Sequence, residues 1–309
     1  MKNIFGFAAS AILVALFVIN TPAQKNPPKD EWFQQIAKLS NTKKSDDREL
    51  AYQMGKKYLA EHGKDNDDKA KKVKAYVENY RMAEFNKAAD ETKMANALKY
   101  GEDILADQPE NSYVTMNLGY TALEMMTKNQ DKSFGVQGIM YAKKTLELFA
   151  AGKVPADFKP FKDQNEVTAL MYYTIGSYTV DSNVKEAAIA FQKASLIDSQ
   201  VKAKSYIYYI AAFHYEKVYE TLAADFQTKY AGKPETDAMK AERAEIDKVI
   251  DRMIDAYART VKCAEPESNP SLGMWKDRLK QVYTFRKGSD KGLNELVSGI
   301  LATPMAEIL

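Results

Sequence analysis

Four segments of the chain carry one spacing of small and bulky residues at a nearly constant interval. Ala51-x3-Gly55-x2-Tyr58, Ala97-x3-Gly101-x2-Ile104, Ala142-x3-Leu146-x2-Phe149 and Ala187-x3-Phe191-x2-Ala194 have leading residues 46, 45 and 45 positions apart. Residues four and seven apart lie on one face of a helix, so each segment presents a single stripe. Its small first member lets a neighbouring helix approach closely. A unit of this kind cannot bury its stripe alone, so successive units have to stack.

The rest of the chain fits that constraint. Only 14 glycines and 10 prolines occur in 309 residues, while Ala, Lys, Glu, Met and Leu recur throughout, which favours helices. Apolar residues return at three- and four-residue spacing, with no sustained strand-like alternation. The pattern predicts helices at about 46–62, 67–89, 91–106, 112–127, 136–151, 165–180, 184–198, 202–230, 237–263, 271–286 and 290–301, with a further short one over about 30–39. In helix 202–230, Ile207, Ile210, Ala211, His214 and Val218 form one stripe and Tyr208, Tyr215, Tyr219, Leu222 and Phe226 another beside it. So wide an apolar arc predicts packing on two sides.

The N-terminus reads as an export signal: Lys2, an apolar run over residues 4–19, then Asn20-Thr21-Pro22-Ala23-Gln24. The run, interrupted by Gly6 and Ser10, falls short of the roughly 20 apolar residues that span a bilayer, so cleavage between Ala23 and Gln24 is expected over retention as an anchor. The mature chain would be secreted or periplasmic, with no stable membrane insertion. Pro27 and Pro28 then mark a short linker. The 44 basic and 42 acidic residues leave a formal charge of +2, far from the basic footprint of a nucleic-acid binder.

The residues between the repeated stripes carry a family resemblance. Met116-Asn117-Leu118-Gly119, preceded by Asp107-Gln108-Pro109-Glu110-Asn111, resembles the junction of two tetratricopeptide repeats: a terminating proline, a short turn, then the Leu-Gly pair of the next first helix. Ile175-Gly176 stands in the same place in the following unit, and Ala187-Ala188-Ile189-Ala190-Phe191-Gln192-Lys193-Ala194 is similar to a second-helix consensus. The chain thus resembles an exported, bacterial-type member of that family. The resemblance implies an all-α, right-handed α-α superhelix, a helical repeat solenoid with C-terminal capping helices. It divides the chain into a signal peptide (1–23), a linker and N-terminal helix (24–45), repeats (46–265) and a helical cap (266–309). The 45-residue period exceeds the usual 34 and also suits HEAT and armadillo units; loops 127–138 and 152–164 absorb the excess.

Members of the family commonly bind peptides along the concave wall formed by their first helices. That register holds Tyr113, Met116, Asn117, Tyr120, Tyr173, Ser177 and Tyr206, which become the candidate partner-binding residues for a protein or peptide ligand. Tyrosine offers a large contact area at small entropic cost, and an asparagine amide can pair with both donors and acceptors of an extended backbone.

Other chemistry is sparse, and no catalytic, cofactor-binding or metal site is expected. The two histidines lie in different repeats. His214 falls on an apolar stripe, as a hydrogen-bonded core histidine, and His62-Gly63 reads as a helix end where glycine permits a left-handed turn. Lys64-Asp65-Asn66-Asp67-Asp68-Lys69 resembles the start of a calcium loop, but the sixth and twelfth places counted from Asp65 are Ala70 and Tyr76, so capping aspartates are expected instead. Gly135-Val136-Gln137-Gly138 lacks the Lys and Ser/Thr of a phosphate loop and reads as a turn before a helix. Cys263, the single cysteine, sits in a helical pattern as a small apolar residue. The alternative function is a helical cell-wall or carbohydrate-processing enzyme, for which a carboxylate pair such as Glu124 and Asp131 would be needed.

Overall fold

The computed structural model describes residues 27–309; the expected signal and its cleavage site lie outside the described residues. The described residues form an all-α structure of twelve α-helices packed in sequential antiparallel pairs, and they contain no strand. In order these are α1 (Lys29–Ser40), α2 (Ser45–His62), α3 (Asp68–Asp90), α4 (Met94–Asp107), α5 (Ser112–Asn129), α6 (Gly135–Ala150), α7 (Gln164–Thr179), α8 (Val184–Ser195), α9 (Ser205–Tyr230), α10 (Asp237–Glu267), α11 (Leu272–Lys287) and α12 (Leu293–Gly299). The described residues divide into two compact units, 27–77 and 78–309, with the boundary inside α3.

In the first unit, Trp32 and Ile36 of α1 join Ala51, Tyr52 and Tyr58 of α2 and Ala70, Val73 and Val77 of α3 as its buried apolar residues. Gly55 permits the close approach that its place in the stripe suggested: a Cβ there would lie 2.7 Å from Val77 Cγ2. The helix end at His62 is correct, but Gly63 keeps right-handed geometry (φ −62°), and the left-handed residue is Asn66 (φ 53°). A single turn of 3₁₀ helix over Gly63–Asp65 carries the chain onward, moving the reversal to asparagine, which tolerates that conformation. Asp67 accepts from the Ala70 amide at 2.8 Å as a helix cap, and together with Asp65 it holds the Lys29 ammonium. Their hydrogen bonds to Lys29 lower both carboxyl pKa values; for Asp67 the Ala70 amide contributes most.

In the second unit the leading alanines Ala97, Ala142 and Ala187 are fully buried. The Leu-Gly positions pack directly on that register. A Cβ on Gly119 (α5) would meet the Ala142 backbone nitrogen at 3.2 Å and Met171 Sδ at 2.9 Å. One on Gly176 (α7) would press 2.6 Å from the Phe191 ring. Gly135 and Gly138 are the first turn of α6 rather than a turn before it, for a packing reason: at Gly138 a Cβ would lie 2.9 Å from Ala122 Cβ and 3.0 Å from the Tyr178 ring. Asn111, Asp163, Asn183 and Thr236 cap α5, α7, α8 and α10 by accepting a backbone amide at the third position on.

Helix α9 packs against both α8 and α10, as its double stripe required. Helix α10 continues past the expected end at residue 263, through Pro266 to Glu267. In the last turn a proline forfeits only one intrahelical donor. The helix end is also tied down, because the Glu267 carboxylate accepts from the backbone amide (2.9 Å) and hydroxyl of Ser205 at the start of α9. A carboxylate is favourable at that helix N-terminus. Helices α11 and α12 pack on α10, and Met305 and Ile308 join the core cluster of α7 to α11.

Candidate functional site

The structure separates the sequence-derived residues into two groups. On α5, Met116 is fully buried and belongs to the core with Ala142, Val167 and Met171, so it offers no contact surface. Asn117 is 6% exposed and spends its Nδ2 donor on Tyr113 O one turn back at 2.8 Å. Tyr113 is half-buried, donating its hydroxyl to Asn86 Oδ1 at 3.1 Å. Tyr120 meets the Phe161 ring edge-on with centroids 4.8 Å apart. Phe161 comes from loop 152–163, whose other ring, Phe158, packs on Phe149. The loop that reads in sequence as a spacer therefore lays Phe161 against Tyr120 of α5 and Phe158 against α6. Burial there raises the Tyr113 pKa and pushes that of Tyr120 up to about 12, helped by the nearby Glu124 carboxylate.

The second group comes together around Phe191 of α8, which is fully buried. Tyr173 of α7 lies against one side of that ring (centroids 5.5 Å apart), and Tyr206 of α9 meets it edge-on at 5.7 Å. Tyr206 is 38% exposed and Tyr173 partly so, giving an aromatic shelf whose base is rigid and whose upper surface is wet. The Lys204 ammonium stands 5.8 Å from the centre of the Tyr173 ring, within range of a cation–π contact. The charges of the Lys132–Asp181 ion pair (2.5 Å) reach the Tyr206 hydroxyl. Ser177 is buried, and although its hydroxyl falls outside strict hydrogen-bonding geometry it lies close enough to the Tyr173 hydroxyl to act on it as a donor, lowering the Tyr173 pKa against the larger effect of desolvation. Desolvation raises the pKa values of Tyr173 and Tyr206, so both stay neutral hydroxyl donors at physiological pH.

The carboxylates weighed for acid–base chemistry have other occupations. Glu124 accepts from Thr92 Oγ1 at 2.9 Å and pairs with Lys128, while Asp131 accepts from the Ser133 amide at 2.8 Å. His214 is buried, with Nε2 3.4 Å from Leu309 O. Among the described residues no group of three or more His, Cys, Asp or Glu side chains is placed to hold a metal ion, and no helix is long and apolar enough to cross a membrane.

Comparison with known proteins adds no family: no family model, no curated protein and no solved structure matches this chain. Sequence reasoning missed Phe161 because it lies in a loop outside the periodic helical segments, and Lys204 because, at the start of helix 202–230, it belongs to neither apolar stripe. Phe191 was visible in the repeated stripe but only as packing.

Proposed function

We propose that this chain is a tetratricopeptide-like superhelical scaffold, exported to the periplasm or the medium, that binds a protein or peptide partner without catalysis. The single observation supporting it most is the Tyr173–Phe191–Tyr206 shelf. Two tyrosines on successive first helices present partly exposed faces, held by a fully buried ring. Rigid aromatics of this kind lose little entropy on contact, and their hydroxyls can pair with a partner's backbone. The site centres on α7 and α9 rather than α5, since Phe161 and the internal bond of Asn117 occupy the α5 face.

Crosslinking in the native envelope followed by mass spectrometry would name the partner, and calorimetric titration against it tests the site. Tyr206→Ala should weaken binding by roughly 1–3 kcal/mol with the fold intact, as hot-spot aromatics do. Asn117→Ala should change binding little. Equal affinities for wild type and Tyr206→Ala would move the interface off the shelf.

A further inference from the structure

Residues 304–309 have no regular secondary structure and lie against α8, α9 and α10. What holds this segment is unusual in kind. Arg259 of α10, only 3% exposed, donates from Nη1 to Thr303 O at 2.8 Å and from Nη2 to Pro304 O at 3.2 Å. Its remaining edge grips Asp255 through Nε (2.8 Å) and Nη2 (3.1 Å), which fixes the guanidinium independently of the segment. Gln192 of α8, also buried, donates to Met305 O at 3.5 Å, and His214 of α9 lies beside Leu309 O. Every one of these contacts goes to a main-chain oxygen. Only two side chains, Met305 and Ile308, are buried, while Thr303, Pro304, Glu307 and Leu309 are exposed.

We propose that the groove between α8, α9 and α10 is a binding site for extended peptides carrying two apolar side chains three residues apart, and that residues 303–309 fill it in cis as a displaceable strap. Carbonyl oxygens are common to all peptides, so donors aimed at them select an extended backbone without selecting its sequence. The two buried positions supply what selectivity there is. An emptied groove would bare to water the apolar surface that Met305 and Ile308 cover, and a second peptide restores that burial along with the Arg259 acceptors, so exchange is favoured over simple release. This site is distinct from the tyrosine shelf, and its test uses none of the shelf residues.

The full-length variant Met305→Asp/Ile308→Asp, with the strap's anchors removed, is titrated by fluorescence anisotropy with three synthetic peptides. One has the sequence of residues 303–309, one keeps Met and Ile three apart but changes the other five residues, and one has Asp at both anchor places. The first two should bind the variant at least about tenfold more tightly than they bind wild type, whose apparent affinity is reduced by the fraction of closed straps. The Asp peptide should not bind. A folded variant that binds neither apolar peptide, or only the one with the chain's own sequence, would overturn the proposal and make the strap ordinary fold. Should the Asp variant fail to fold, the milder full-length variant Ile308→Ala, which shortens one anchor, takes its place in the same titration and should bind both apolar peptides more tightly than wild type does. Affinities no higher than those of wild type would overturn exchangeability.

Discussion

Burial governs the titration of His214. Desolvation disfavours its imidazolium more than the Leu309 oxygen favours it, and Lys185 adds repulsion, so the ring's pKa falls below the ordinary 6.5. The folded chain therefore keeps the ring neutral where the unfolded chain would already take a proton. The associated stability is complete above the unfolded value and is lost as pH falls below about 6.5 through the lowered folded value. Thermal melts between pH 7.5 and 5 should show a declining midpoint, and His214→Gln should remove part of that slope; an unchanged slope would mean that His214 does not contribute. Cys263 shows the same physics with the opposite direction, since burial pushes its thiol up to about 11. It should resist iodoacetamide at pH 8 in the native protein and react fully in guanidinium chloride, and native alkylation at the free-thiol rate would contradict its burial. Among the candidate contacts, Met116 and Asn117 show the limit of position-based reasoning. Their register is that of a first helix, but which of its faces meets water depends on loop 152–163.

At the scale of helices, the small residues carry most of the specificity. Gly176→Ala would drive a methyl group to 2.6 Å from the Phe191 ring, which is fully buried and in contact with Tyr173 and Tyr206. The expected cost is about 1–3 kcal/mol of stability, read from urea unfolding. Gly273 in α11 gives the contrasting case, because nothing lies within 4 Å of a Cβ there. Gly273→Ala should stabilise, by less than the roughly 1 kcal/mol of a helix interior because the residue lies in the first turn of α11. Equal effects of the two substitutions would show that close helix approach is not what Gly176 supplies. The helices themselves were legible: α2, α5, α6 and α7 begin within one residue of their expected starts. The ends of α8 and α10 were not, since α8 stops at Ser195 and α10 runs on through Pro266 to Glu267. For α10 the Ser205 contact that ties it comes from a residue more than sixty positions away.

For the molecule as a whole, stability has to come from helix packing, because Cys263 leaves no partner for a disulfide within the chain. The mature protein should be strongly helical by circular dichroism and melt at the same temperature with or without EDTA or reductant; a shift of several degrees with chelator would reveal a metal that supports the fold. Intact mass of the protein recovered from the producing cell should start near Gln24, and a chain retaining residues 4–19 would point to an anchor instead. The all-helical class, the helix positions and the small-residue register could be read from sequence, since periodicity and propensity act over a few residues and are written locally. Tertiary structure alone decided what the helices face. Phe161 lies against Tyr120 of α5, Tyr173 and Tyr206 meet at Phe191, and Arg259 finds the carbonyls of residues 303 and 304. Each of these joins residues far apart in the chain through loops whose course no repeating pattern encodes.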